Sequence, residues 1–162
     1  MSLWDVRAKR WEEALCSVSP GARRAVSADV ISGSLRFFRP SFGAVFSAET
    51  VRFVQSVLES ARSEHVDQAE SNRISVRLYS LLDEDPAIGL ASLVAALSVF
   101  FDCAASEFDV DSTLDILSSC YEAVLHTEGI SQDELDSNSD NENCSRLIDF
   151  QQGVIARAAS AR

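Results

Sequence analysis

Between Leu78 and Ser145 the chain contains no lysine and no arginine, while the same 68 residues carry 15 aspartates and glutamates. Residues 1–77 and residues 146–162 each sum to +2, so the formal net charge of −11 originates entirely in this middle segment. That absence excludes a basic nucleic-acid-binding face there, because phosphate neutralisation needs clustered cations. It also argues against an anionic membrane surface as a partner.

Other shortages narrow the reading further. Three prolines and six glycines are too few to punctuate an all-β chain, which turns every ten residues or so. Cys16, Cys103, Cys120 and Cys144 are widely spaced and form no C-x-x-C pair. Buried free thiols are therefore expected rather than a disulfide framework or a zinc site. The first apolar stretch is broken by Asp5, Arg7, Lys9 and Arg10 and does not read as a secretory leader. The longest uncharged run, Pro86 to Phe101, is too short to span a bilayer. A cytoplasmic location with no membrane association is the expectation.

Only His65 and His126 are available as the residue type suited to acid–base work, and neither accompanies a nucleophile motif. H-E-x-x-H, G-x-S-x-G, P-loop and G-x-G-x-x-G patterns are all missing. Two acidic runs have the odd-position spacing of a calcium loop. In the run Asp109, Asp111, Thr113, Asp115, the required Gly and Glu positions hold Leu114 and Cys120. In Asp136, Asn138, Asp140, Glu142 they hold Asn141 and Leu147. No enzyme activity, cofactor or metal is expected.

What the chain does have is helical periodicity. At 162 residues and 46% apolar composition it suits one globular domain. Trp4, Ala8, Trp11 and Leu15 step by 4, 3 and 4. Ser19-Pro20 opens a second helix that should run to about Arg39 and stop at Pro40. Val26, Val30, Gly33 and Phe37 line one face of it, and Gly33 allows close approach of another helix. Ser47 caps a third helix, with Val51, Val54, Leu58 and Ala61 as its seam. The polar stretch from Ser63 to Asn72 leads into a fourth, carried by Ile74, Leu78 and Leu81. Asp85-Pro86 signals a fifth, to about Ala105, apolar on all sides and hence central. Val110, Leu114, Leu117, Tyr121 and Val124 define a sixth, ended by Gly129. A capping-box spacing at Ser131 and Glu134 suits one further turn. Leu147, Phe150, Val154 and Ala158 form the last helix.

The expectation is thus an all-α, single-domain bundle of about seven helices around the central apolar helix at about 86–105. The domain spans 1–158, with an acidic surface loop at 136–143 and a frayed tail at 159–162. Trp4, Trp11, Phe37, Phe38 and Phe42 read as core anchors. If Phe42 and Phe46 were exposed, their connector would become an interaction surface.

A one-signed segment costs stability through self-repulsion and focuses a field that speeds capture of a basic partner. With 13 arginines against one lysine, bidentate arginine–carboxylate pairs between the first half and this segment are also expected. In layout and charge the chain resembles the small acidic, all-helical immunity proteins of bacterial toxin systems. That resemblance implies neutralisation of a cognate toxin, often a basic nuclease, by covering its active site or a neighbouring surface. Asp111, Asp115, Glu122, Asp133, Glu134, Asp136, Asp140 and Glu142 would then meet the toxin's arginines and lysines. The other reading is a helical adaptor or oligomerising regulatory module whose acidic face is merely solvated.

Overall fold

The computed structural model describes residues 2–62, 65–129 and 141–161. Among them are seven long helices, one single-turn helix and no strand, so the chain is an all-α bundle as expected. The helices are α1 (Leu3–Cys16), α2 (Pro20–Ser34), the single turn α3 (Phe42–Val45), α4 (Ala48–Ala61), α5 (Gln68–Glu84), α6 (Leu90–Ala104), α7 (Val110–Thr127) and α8 (Glu142–Ser160). Side-chain caps explain most of the starts. Ser2, Ser19, Ser47, Asp67, Asp109 and Asn141 each accept a hydrogen bond from a backbone N–H in the first turn they precede. Each such cap contributes about 1 kcal/mol.

The apolar sixth helix lies between α5 and α7 and is crossed by α2. Phe100 and Phe101 are fully buried and meet edge to face, and Phe108 closes the same cluster. The centre is nevertheless shared. α7 packs antiparallel to α6 and also touches α1, α2 and α8. The approach of α6 and α7 is fixed at Gly89, whose φ is +92°. A Cβ there would lie 2.6 Å from the Ala123 carbonyl oxygen.

Three boundaries differ from the expectation, each for a physical reason. The central helix begins at Leu90, not at Pro86. The Asp85 carboxylate accepts from Ala87 N–H at 3.0 Å, an Asx turn, and left-handed Gly89 redirects the chain before the helix starts. Ile88, assigned by periodicity to that helix, is consequently 69% exposed. The second helix gives way at Ser34 to a 3-10 turn, Leu35–Phe37. Phe38 then takes an extended conformation that buries its ring against Phe42 and Phe46. These three phenylalanines are core, which removes the connector as an exposed surface. Finally, Asn141 caps α8, so Glu142 and Asn143 are helical rather than loop.

Gly33 does admit another helix: a Cβ on it would lie 2.1 Å from the Phe150 ring of α8. The cysteines are free thiols; Cys16 is exposed, whereas Cys103, Cys120 and Cys144 are buried. Burial pushes the Cys120 and Cys144 thiols up to about 12. Among the described residues, no helix is long and apolar enough to cross a membrane.

Candidate protein interface

The described carboxylates of the sequence's acidic segment divide into three groups in space. Asp83, Glu84 and Asp85 close α5, and Glu128 and Glu142 stand at the α7 end and the α8 start. All five belong to one end of the α6–α7 hairpin. Asp102, Glu107 and Asp109 lie at the other end, about 22 Å away at 1.5 Å per residue. Asp111, Asp115 and Glu122 connect the ends along α7. The described part of the segment is therefore not one flat negative face.

Several of these carboxylates serve the fold. Glu84 is ion-paired with Arg77 at 2.8 Å, and Arg77 also pairs with Glu49 of α4. Asp85 is buried and accepts from the Ser47 N–H at 2.8 Å. Burial alone would raise its pKa, but the Ser47 and Ala87 N–H donors outweigh it and hold the carboxyl below its ordinary value. Asp109 caps α7, and its pKa is lowered first by the Ser112 N–H and then by the Ser112 hydroxyl. Glu128 accepts from the side-chain amides of Asn141 and Asn143, which ties the end of α7 to the start of α8.

Asp83, Asp102, Glu107 and Glu142 stay exposed at the two ends, and the three α7 carboxylates form a stripe. Asp111, Asp115 and Glu122 are spaced i, i+4 and i+11, which places them within about 40° on the α7 surface. Asp111 and Asp115 are exposed and Glu122 is half-buried. Among the described residues, Glu84 is the only member of the acidic segment in an ion pair. The expected arginine–carboxylate pairing is thus limited there to Arg77. Three other arginines are engaged elsewhere. Arg23 donates to the carbonyls of Leu15, Val18 and Phe108. Arg24 donates to the Ala61 carbonyl and lies over the Phe100 ring. Arg36 stacks over Phe150 and Phe37.

Asp115 of the stripe lines an open groove of about 310 Å³ between α7 and α1. Trp4, Ala8 and Leu114 form its apolar floor, and Asp5, Glu12, Asp115, Ser118 and the single lysine, Lys9, form its rim. Trp4 is held in place from behind. Its Nε1–H donates to Gln151 Oε1 at 2.9 Å, and Gln151 Nε2 donates to the Leu117 carbonyl at 2.9 Å. One fully buried glutamine of α8 thereby sets α1 against α7. A floor of this kind suits the aliphatic stem of an arginine or lysine whose head reaches the carboxylates.

Of the eight residues assigned from sequence, Asp111, Asp115 and Glu122 come together on this stripe. Glu142 is exposed beyond the C-terminal end of α7, in the first turn of α8 and off the stripe. Asp133, Glu134, Asp136 and Asp140 lie outside the described residues. Asp5 and Glu12 were missed because they precede the lysine- and arginine-free segment. Their seven-residue spacing on α1 was the available signal. His126 is half-buried in the last turn of α7 with Nδ1 3.4 Å from the Ser92 hydroxyl, and His65 is exposed. Comparison with protein-family models, with curated proteins and with solved structures finds no match for this chain.

Proposed function

We propose that this protein is a binding module that captures a basic protein partner through the Asp111–Asp115–Glu122 stripe and the α1–α7 groove beside it. The observation that carries this reading is the stripe itself: three carboxylates along one helix without an ion pair among the described residues. In the immunity-type form suggested by the chain's layout, the partner is a cognate toxin whose arginines and lysines enter the groove. Electrostatic steering would make association fast and salt-sensitive.

The test is affinity capture from the source cells at low salt, run in parallel with Asp111→Asn/Asp115→Asn/Glu122→Gln. A basic protein retained by the native chain and lost by the triple variant supports the proposal. Purified, that protein should bind the variant at least 100-fold more weakly, with a shallower salt dependence. Identical capture by both chains, or capture of neutral and acidic proteins only, would remove the stripe from the account.

A second reading, an oligomerising or adaptor module, is favoured by the outer face of α5. Val76 is 72% exposed and Tyr79, one turn on, is 56% exposed. Light scattering of native protein and Val76→Lys separates the two readings. A dimer abolished by the substitution favours the adaptor, and an unchanged monomer counts against it.

A further inference from the structure

The other flank of α1 meets α8 and forms a groove of opposite sign. It encloses about 200 Å³, with Arg7 and Arg10 at its rim and Trp11, Ala14, Ile155 and Ala156 as its floor. Arg7 and Arg10 are three residues apart and project from the same side of the helix. Among the described residues no carboxylate lines this groove, although the chain as a whole carries a formal charge of −11. We propose that it binds a small amphiphilic carboxylate, such as an aromatic or short-chain monocarboxylic acid. The two guanidiniums would hold the carboxylate while Trp11 and Ile155 seat the apolar body.

The chemistry follows from the walls. A planar guanidinium donates two parallel hydrogen bonds to a carboxylate, and two guanidiniums on one helical turn can share its oxygens. Trp11 and Ile155 are almost entirely buried, at 4% and 3% exposure, so they fix the base of the floor, while half-buried Ala14 and exposed Ala156 supply most of the apolar surface beside the Gln152 side chain. Size limits the ligand. An apolar cavity of about 150 Å³ accepts benzene, so this groove accommodates one ring or a short acyl chain with its carboxylate. A helix of a partner protein would overrun a site built from so few residues of two helices. The occupant proposed is a free small molecule, and a polypeptide terminus of the same chemistry is separated from it by the titration.

Titration of the full chain with 3-phenylpropionate, followed by calorimetry and by the Trp11 indole N–H resonance, tests the assignment. The neutral amide, 3-phenylpropionamide, is the control. The expected result is saturable binding at about 1 mM or tighter, at least tenfold weaker for the amide. Arg7→Gln/Arg10→Gln should weaken binding at least tenfold with an unchanged circular dichroism spectrum. Ala14→Phe keeps both guanidiniums but fills the floor, and should abolish binding. Equal affinity for acid and amide, or indifference to both variants, would overturn the proposal. So would tighter binding of a short peptide ending in phenylalanine, which would reassign the groove to a protein partner.

Discussion

On one flank of α1, Trp4 floors a groove rimmed by Asp5, Glu12 and Asp115. On the other, Trp11 floors a groove rimmed by Arg7 and Arg10. The two indoles touch edge to face, with centroids 5.7 Å apart, so the grooves share a wall. Helical geometry produces the sorting. At 100° per residue, positions 5 and 12 fall within about 20° of each other, and 7 and 10 within about 60°. Position 7 lies about 160° from position 5. Positions 4 and 11 share the buried stripe between them. A fourteen-residue helix thus presents acids to one neighbour and arginines to the other while its tryptophans face inward. Net charge summed over a segment conceals such an arrangement, because α1 sums to nearly zero.

The contrast can be broken at several points. The largest effect is expected at Gly89, where the α6–α7 hairpin that carries the acidic stripe is pinned. Gly89→Ala would force a Cβ into the Ala123 carbonyl at 2.6 Å and strain a φ of +92°. A loss of about 3 kcal/mol or more is expected in urea unfolding. Because the obstacle is backbone, no rotamer change relieves it.

Next comes Gln151, which holds the Trp4 floor of the acidic groove against α7. Gln151→Leu leaves the Trp4 indole N–H buried without its acceptor. A destabilisation of about 2 kcal/mol is expected, together with loss of the distinct Trp4 indole resonance position. If Trp11 moves as much as Trp4, the two grooves are not independent sites.

An effect of similar size near neutrality, confined to the far end of the bundle and lost in acid, is expected at Asp85. Its carboxyl titrates below the ordinary 3.8 in the folded chain, so the unfolded chain binds the proton more readily. The stabilisation is therefore complete above about pH 4 and is lost as pH falls through the lowered value. Asp85→Ala should cost about 2 kcal/mol near neutrality and flatten the acid limb of a stability–pH profile. Both α1 grooves should be unaffected, which distinguishes structural carboxylates from those proposed to bind.

Much of this was legible beforehand. The 4-3-4 spacing of Trp4, Ala8, Trp11 and Leu15 identified the buried stripe of α1, and all four residues are buried. The all-apolar stretch around Phe100 identified the core helix. Gly33 announced the close approach that Phe150 makes. The start of α6 was not legible, because Pro after Asp reads as a helix opening whether the aspartate caps a helix or closes an Asx turn. The early end of α2 was also hidden, since burial of Phe38 depends on Phe42 and Phe46 reaching the same place. The candidate site was half visible. Asp111, Asp115 and Glu122 follow from the helical period of α7, but the contribution of α1 required knowing which helix packs beside it.

The most direct measurement is a nuclear magnetic resonance titration of the native chain with a helical peptide bearing arginines at i and i+4. Saturable shifts are expected at Asp111, Asp115, Ser118 and Glu122 of α7 and at Ala8 and Glu12 of α1. They should weaken as salt rises, and Gln152 and Ile155 of the α1–α8 groove should stay in place. Shifts spread evenly over both grooves, or centred on Asp83 and Glu142 at the hairpin end, would contradict the claim that the α7 stripe is where a basic partner docks.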